Sequence, residues 1–261
     1  DARGRLPVIV NLDGFYLSFT REPVEIPDPQ TVEAFLPAYS PESTRFRTSA
    51  PASQAVAVLG GSPYSYFRYE SHLAALNGLS VYEEVAEAFA GAFGRDYQAV
   101  EAYRCKDAAI VFVMLGSFAT KAKQAVDQLR EAGHAIGLLR PRLMRPFPAA
   151  QLTRLLAGKQ GIAVIDQNIS MGMGGVLHAE LAAALYGKAD APPVLASFIG
   201  GLGGRDISPE EFYEIAAVVR RAVADGETPP PQLLYTRDEL REVRKLQTIA
   251  HAERNELESG Q

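Results

Sequence analysis

The chain has 261 residues, 47% of them hydrophobic and 22% charged, with a formal net charge of -5 and an isoelectric point near 5.5. A globular chain of this length buries about three quarters of the surface its unfolded form exposes, so it needs no disulfide or metal staple to fold. The acidic balance excludes a general affinity for nucleic acid or an anionic membrane surface, and no apolar run reaches the roughly 20 residues of a membrane helix.

Cys105 stands alone, which leaves no disulfide framework, no paired metal-ligand spacing and no iron-sulfur motif. That usage favours a reducing compartment and predicts a cytoplasmic location. The chain opens Asp-Ala-Arg-Gly-Arg, with neither an initiator Met nor a signal-peptide core, which reads as a fragment or a processed chain.

Residues 7–12, Pro-Val-Ile-Val-Asn-Leu, run into Asp13-Gly14, the pattern of a buried strand leaving its sheet through a tight turn. Residues 20–63 carry Pro23, Pro27, Pro29, Pro37, Pro41, Pro51 and Pro63 and read as a traversing linker, so the strand is expected to finish a domain lying upstream. From Ser65 to Phe93 apolar residues recur at helical spacing, predicting one long helix or a pair broken at Asn77-Gly78.

From residue 109 strands and helices alternate. Strands are expected near 110–115, 136–140, 162–166 and 194–199, with helices near 119–132, 149–156, 175–186 and 209–224. Such alternation means βαβ units and a parallel sheet covered on both faces. Ser208-Pro209-Glu210-Glu211 marks the last helix start with an N-cap serine, a proline at the first position and a capping-box glutamate. Pro229-Pro230-Pro231 stiffens a spacer, and Thr236 to Glu258 is a charged helical tail with Leu240, Val243, Leu246 and Ile249 at spacings of three.

Three loops fall at expected strand ends, where open α/β sheets bind ligands. Gly200-Gly201-Leu202-Gly203-Gly204-Arg205-Asp206 lets backbone N–H groups approach a partner, yet it lacks the dinucleotide fingerprint spacing. It reads first as a sharp crossover packed against another domain, with Arg205 and Asp206 pairing locally, and second as a ligand site. Asn168-Ile169-Ser170-Met171-Gly172-Met173-Gly174-Gly175 follows Asp166 on the same predicted edge. Arg145-Pro146-Phe147-Pro148, with Arg140 and Arg142 before it, forms a basic loop suited to an oxyanion or to an interface ion-pair cluster. His72, His134, His178 and His251 show no metal-ligand spacing, Gly116-Ser117 resembles half of a phosphate loop but is common at any strand-to-helix turn, and Cys105 reads as a structural thiol.

Several of these segments, in order, resemble the α subunit of the pyruvate:ferredoxin oxidoreductase superfamily of 2-oxoacid:acceptor oxidoreductases. They are Val8-Ile9-Val10 through Asp13-Gly14-Phe15 with Glu22-Pro23-Val24, Phe67-Arg68-Tyr69-Glu70, Tyr103 to Ala108, Gly116-Ser117, Arg145 to Pro148, Asp166 to Ser170, and Gly200 to Asp206. The resemblance implies a transketolase-type assembly that decarboxylates a 2-oxoacid on thiamine diphosphate and traps the acyl group on coenzyme A. Electrons would pass through [4Fe-4S] clusters to ferredoxin or an NAD-linked acceptor.

It further implies that residues 1–40 are the tail of a thiamine-pyrimidine-binding domain and that 41–108 are linker and long helix. Residues 109–228 would be a transketolase C-terminal-like α/β domain, and 229–261 a proline-rich linker with a charged helix. The activating glutamate has no counterpart in this sequence. The diphosphate, Mg2+ and the clusters are therefore expected on partner subunits or a domain outside this sequence, with no catalytic residue here and no activity for this chain alone.

Arg145, Phe147, Asn168, Gly172, Gly201, Gly203, Arg205 and Asp206 are the expected interface or site-supporting residues. Gln167 stands where the family often has Arg, and Phe19 where many pyruvate enzymes have His. The latter suggests a larger or aromatic 2-oxoacid such as an aryl glyoxylate. Two other readings stay open: a non-catalytic module that stabilises an oligomer, and a free-standing nucleotide-binding domain.

Overall fold

The computed structural model describes residues 6–14, 16–36, 47–51 and 61–259. By its internal packing the chain divides into two units, Asp1–Glu101 with Pro141–Gln151, and Ala102–Arg140 with Leu152–Gln261.

In the first unit α1 is a single turn, Tyr16–Phe19, and α2 spans Pro29–Phe35 inside the stretch read as linker. Asp28 starts α2 by accepting the Thr31 amide at 3.0 Å, with Pro29 at the first position where a missing N–H costs nothing. The predicted strand over residues 7–12 does not form. Val8, Ile9 and Val10 are 71%, 86% and 80% exposed, and no ladder partner lies beside them among the described residues. A strand without a neighbour has unpaired backbone groups and gains nothing over solvated chain.

The helical spacing from Ser65 resolves into one helix, α3, Gly61–Phe93, continuous through Asn77-Gly78. Gly78 sits in ordinary contact range of Pro146, whose Cδ lies 3.8 Å from where a Cβ would be. Phe35 of α2 meets Phe89 and Phe93 edge-on at 5.7 and 5.3 Å between ring centroids, which fixes the short helix to the end of the long one. Residues 37–46 and 52–60, the rest of the predicted linker with Pro37 and Pro41, and Phe15 of the Asp13-Gly14-Phe15 segment lie outside the described residues.

The alternation from residue 109 is present as predicted. In chain order the elements are β1 (Val100–Tyr103), β2 (Ile110–Met114), α4 (Phe118–Glu131), β3 (Ile136–Pro141), α5 (Ala149–Leu156), β4 (Gly161–Asp166) and α6 (Val176–Leu185). There follow β5 (Val194–Ile199), α7 (Pro209–Asp225), β6 (Gln232–Leu233) and α8 (Arg237–Ser259). The six strands form one sheet of order β1-β3-β2-β4-β5-β6, and the β3/β2, β2/β4, β4/β5 and β5/β6 pairs are parallel.

Every residue of β2 and of β4 is buried, the signature of parallel strands covered on both faces. Gly161 brings α7 close to the sheet: a Cβ there would lie 2.8 Å from Val223 and 2.9 Å from Val219. The capping box at Ser208 is formed as the sequence predicts, with Glu211 N–H donating to Ser208 Oγ at 3.3 Å and Ser208 N–H to Glu211 Oε2 at 2.9 Å. No described helix is long and apolar enough to cross a membrane.

Phe112, fully buried in β2, stacks on Phe212 of α7 with centroids 6.2 Å apart. Phe112→Ala is expected to lower the unfolding free energy by about 3–5 kcal/mol, read as a shift of the urea midpoint, because it opens a cavity under a helix that cannot collapse. An unchanged midpoint would mean that this ring pair lies outside the core.

Candidate functional site

The chain leaves β2 toward β3 on one side and then returns to β4, β5 and β6 on the other. The reversal sets a switch point at the carboxyl ends of β2 and β4, the place where doubly wound sheets hold ligands. The loops at that place are Gly116-Ser117 after β2 and residues 167–175 after β4, with 200–206 next to them after β5.

Asp166, the last residue of β4, organises the second loop. Its side chain is 2% exposed, and its carboxylate accepts the Leu177 amide at 2.9 Å, the His178 amide at 3.1 Å and Asn168 Nδ2 at 3.2 Å. Asn168 Oδ1 accepts the Val176 amide at 3.1 Å. Three successive N–H groups at the start of α6 are therefore satisfied by two side chains from the end of β4. Burial pushes the Asp166 carboxyl above its ordinary value, and the hydrogen bonds from Leu177, His178 and Asn168 pull against that rise.

Gly175 is required by the same arrangement, because a Cβ at that position would lie 2.1 Å from Asp166 Oδ2. Between these anchors the loop closes on itself through Ser170 N–H to Gly174 O and Gly174 N–H to Ser170 O, at 2.8 and 2.9 Å. It presents Met171 and Met173 to solvent, 85% and 69% exposed.

The loop after β5 touches this one. Gly200 N–H donates to Asp166 O at 2.9 Å, and a Cβ on Gly201 would come within 3.2 Å of Gln167 Nε2. Gly201, just before a 3-10 turn over Leu202–Gly204, and Gly203 within that turn both take left-handed backbone, with φ of 73° and 68°. Arg205 then grips two carboxylates: its Nε and Nη2 donate to the two oxygens of Glu239 on α8, and Nη2 also reaches Glu211 Oε1 at 2.9 Å. These hydrogen bonds, to Glu239 first, raise the guanidinium above its ordinary value, and Arg205 in turn holds the Glu239 carboxyl down at about 2. Asp206 pairs with Lys121 of α4.

Asn168, Gly172, Gly201, Gly203, Arg205 and Asp206 thus follow the ends of neighbouring strands in the second unit. Phe19, Arg145 and Phe147 belong to the first unit: Phe19 ends α1 and is 79% exposed, Arg145 donates to Met144 O, and Phe147 O accepts the Ala149 amide at 2.8 Å. Of the other arginines in that basic loop, Arg142 pairs with Glu101 at 2.6 Å and lies over the Tyr97 ring. Cys105 is buried, its thiol donating to Leu138 O at 3.2 Å, and burial pushes that thiol up, which suits a structural role. Sequence reasoning missed Glu239 and Lys121 as partners of Arg205 and Asp206. The Thr236-x-x-Glu239 capping box, with Thr236 N–H donating to Glu239 Oε2 at 2.7 Å, was the available signal for the first of them.

The family model that matches is "Pyruvate:ferredoxin oxidoreductase core domain II", over residues 108–212. Relatives include pyruvate synthase subunit PorA of Thermotoga maritima, 41% identical over 80% of this chain and 53% of that one. The PorA of Methanothermobacter thermautotrophicus is 38% identical over 80% of this chain and 53% of its own length. The chain belongs to the pyruvate:ferredoxin oxidoreductase family, beside its α-type subunits. Ketoisovalerate oxidoreductase subunit VorA of Pyrococcus horikoshii is 34% identical over 85% of this chain and 56% of that one, so the chain spans about half the length of the relatives it matches. Among solved structures, a 2-oxoglutarate:ferredoxin oxidoreductase from Magnetococcus marinus, with 2-oxoglutarate, coenzyme A and succinyl-CoA bound, aligns with a TM-score of 0.39 at 17% identity. It covers 69% of this chain and 25% of that one.

The groups that this family's chemistry needs do not fit the residues present. The α6 N-terminus, the natural seat for a diphosphate, has its amides taken by Asp166 and Asn168. Among the described residues no group of three or more His, Cys, Asp or Glu side chains could hold a metal ion, and a single buried thiol cannot ligate a cluster.

Gly175→Ala is expected to destabilise the chain by about 1–3 kcal/mol in urea denaturation, since the methyl must displace a buried carboxylate from the helix it caps. A midpoint equal to that of the parent chain would mean that Asp166 does not hold α6 in this way.

Proposed function

We propose that this chain is the C-terminal part of the α-type subunit of a cytoplasmic, multi-subunit 2-oxoacid oxidoreductase that converts a 2-oxoacid and coenzyme A to acyl-CoA and carbon dioxide. Two electrons leave for ferredoxin or an NAD-linked acceptor, through [4Fe-4S] clusters carried with thiamine diphosphate and Mg2+ by partner subunits or another domain. The observation that carries the reading is the family match together with identity to PorA and VorA subunits across most of the chain. In this reading residues 109–228 form the transketolase C-terminal-type domain, after a thiamine-pyrimidine domain tail in 1–40 and a linker and long helix in 41–108. Residues 229–261 are a linker and docking helix.

This chain's own part is to position. The loops at the carboxyl ends of β4 and β5, with Asn168, Gly172, Gly201, Gly203, Arg205 and Asp206, face the partner that holds the cofactor, and Arg145 and Phe147 of the first unit are taken as interface residues in their own right. The second reading, a module that only stabilises the assembly, is favoured by one observation. Arg205 and Asp206 have their charges matched within the chain by Glu239, Glu211 and Lys121.

Gly203→Ala separates the two readings. Nothing lies within 4 Å of the added Cβ, and the left-handed φ costs about 1–2 kcal/mol, so the change perturbs the loop with little effect on packing. In the assembled complex, turnover per cluster is expected to fall about tenfold with the subunit composition intact. Loss of the chain from the complex, with turnover per remaining assembly unchanged, would favour the structural module.

For the substrate, we propose an aryl glyoxylate or similarly large 2-oxoacid, on the ground that Phe19 replaces the polar residue of pyruvate enzymes. Phe19→His is expected to shift the ratio of kcat/KM for pyruvate over phenylglyoxylate upward by about tenfold, within the range one pocket side chain commands. A ratio that does not move removes Phe19 as the selector.

A further inference from the structure

The charged C-terminal helix is held to the sheet edge by an unusual concentration of contacts in a short stretch. β6 adds Gln232 and Leu233 to the edge of β5, and Leu234 N–H donates to Ile199 O at 2.8 Å. Leu234 then fills the notch left by a missing side chain, for a Cβ on Gly200 would lie 2.7 Å from its Cδ1. Two residues on, Thr236 caps α8 and fixes the Glu239 carboxylate through both its amide and its hydroxyl, at 2.7 and 2.9 Å. That carboxylate takes the Arg205 fork.

Beyond this point α8 has little hold on the body. Leu246 and Ile249 are 62% and 45% exposed, and the helix consists mostly of charged and polar residues. The glycine loop is anchored at its ends by Gly200 N–H on Asp166 O and by Asp206 on Lys121, and its middle relies on Arg205. Residues 202–204 are half-buried or exposed, and the 3-10 turn is closed by weak backbone bonds of 3.3 and 3.4 Å. Arg205 Nη1 is buried with no hydrogen-bond partner among the described residues, so the guanidinium keeps a donor in reserve while the other two nitrogens are engaged.

From this juxtaposition we infer that Arg205 and Glu239 form a latch through which the C-terminal helix sets the conformation of the glycine loop 200–206. With the latch closed, the loop is pinned in its left-handed turn and the Arg205 fork is filled by the chain's own carboxylate. With it open, α8 and the loop are released together, and the fork becomes available to another oxyanion. Glu211 stays beside Arg205 in both states, so the guanidinium is never stranded without a counter-charge. The coupling is a property of this chain and does not depend on what the edge binds, so it can fail while the oxidoreductase reading stands, and the reverse.

Hydrogen exchange on the whole 261-residue chain tests it, with Glu239→Gln and Glu239→Lys. Both changes sit at a partly exposed surface and leave the core untouched. The expected result is faster exchange in peptides covering 200–206 and 237–250 together, roughly fivefold to tenfold for Gln and more for Lys, while strands β2 and β4 keep their protection. Release of the helix with an unchanged loop, no change in either, or a rise that extends into β2 and β4 would each overturn the latch.

Discussion

A buried carboxylate at the end of β4 constrains everything at the carboxyl edge of this sheet. Asp166 has been taken out of water, which costs several kcal/mol unless every lone pair finds a donor, and the start of α6 supplies those donors. The exchange satisfies both sides at once. A buried carboxyl gains backbone amides at the positive end of a helix, and the helix gains a cap that its own N-terminal glycine cannot provide. The loop between them then has no freedom in where it begins or ends, and Gly175 is forced by the same contact.

This self-capping gives the edge a definite character. A helix N-terminus facing a switch point is ordinarily an open anion site; in this chain it is closed from within, and what projects instead is a short turn tipped by Met171 and Met173. The neighbouring loop is treated alike, its arginine gripped by Glu239 and Glu211 and its aspartate by Lys121. Both loops are shaped before any partner arrives.

The alternating strands and helices could be read directly, because β2 and β4 are buried along their whole length and carry unbroken apolar runs bounded by turn residues. The start of α7 was equally plain, since its cap is written in four consecutive residues. Legibility failed where the deciding partner is distant or absent. Val8-Ile9-Val10 has the composition of a strand, but strand formation is a pairwise property and the described chain offers it no ladder. β1 and β6 have only four and two residues and exist because β3 and β5 present edges to them. At the candidate site the sequence marked the glycine loops but could not tell whether Arg205 faces outward. Its partner lies 34 positions away, past a proline spacer that conceals the return of the chain.

The glycines show the same limit in another form. In sequence, Gly175 and Gly203 look alike, each in a glycine-rich loop following a strand. The space around them differs entirely: a side chain at Gly175 would collide with the Asp166 carboxylate, whereas one at Gly203 would meet nothing within 4 Å. The first glycine exists for internal packing and reports on the fold. The second exists for its backbone angle alone and leaves a stretch of main chain uncovered at the rim, where another molecule can approach closely. Glycine enrichment at a strand end is therefore two signals superimposed, one structural and one for recognition. In this chain they separate by position, with Gly175 and Gly200 sealing the loops from beneath and Gly172 and Gly203 opening them on the outer side.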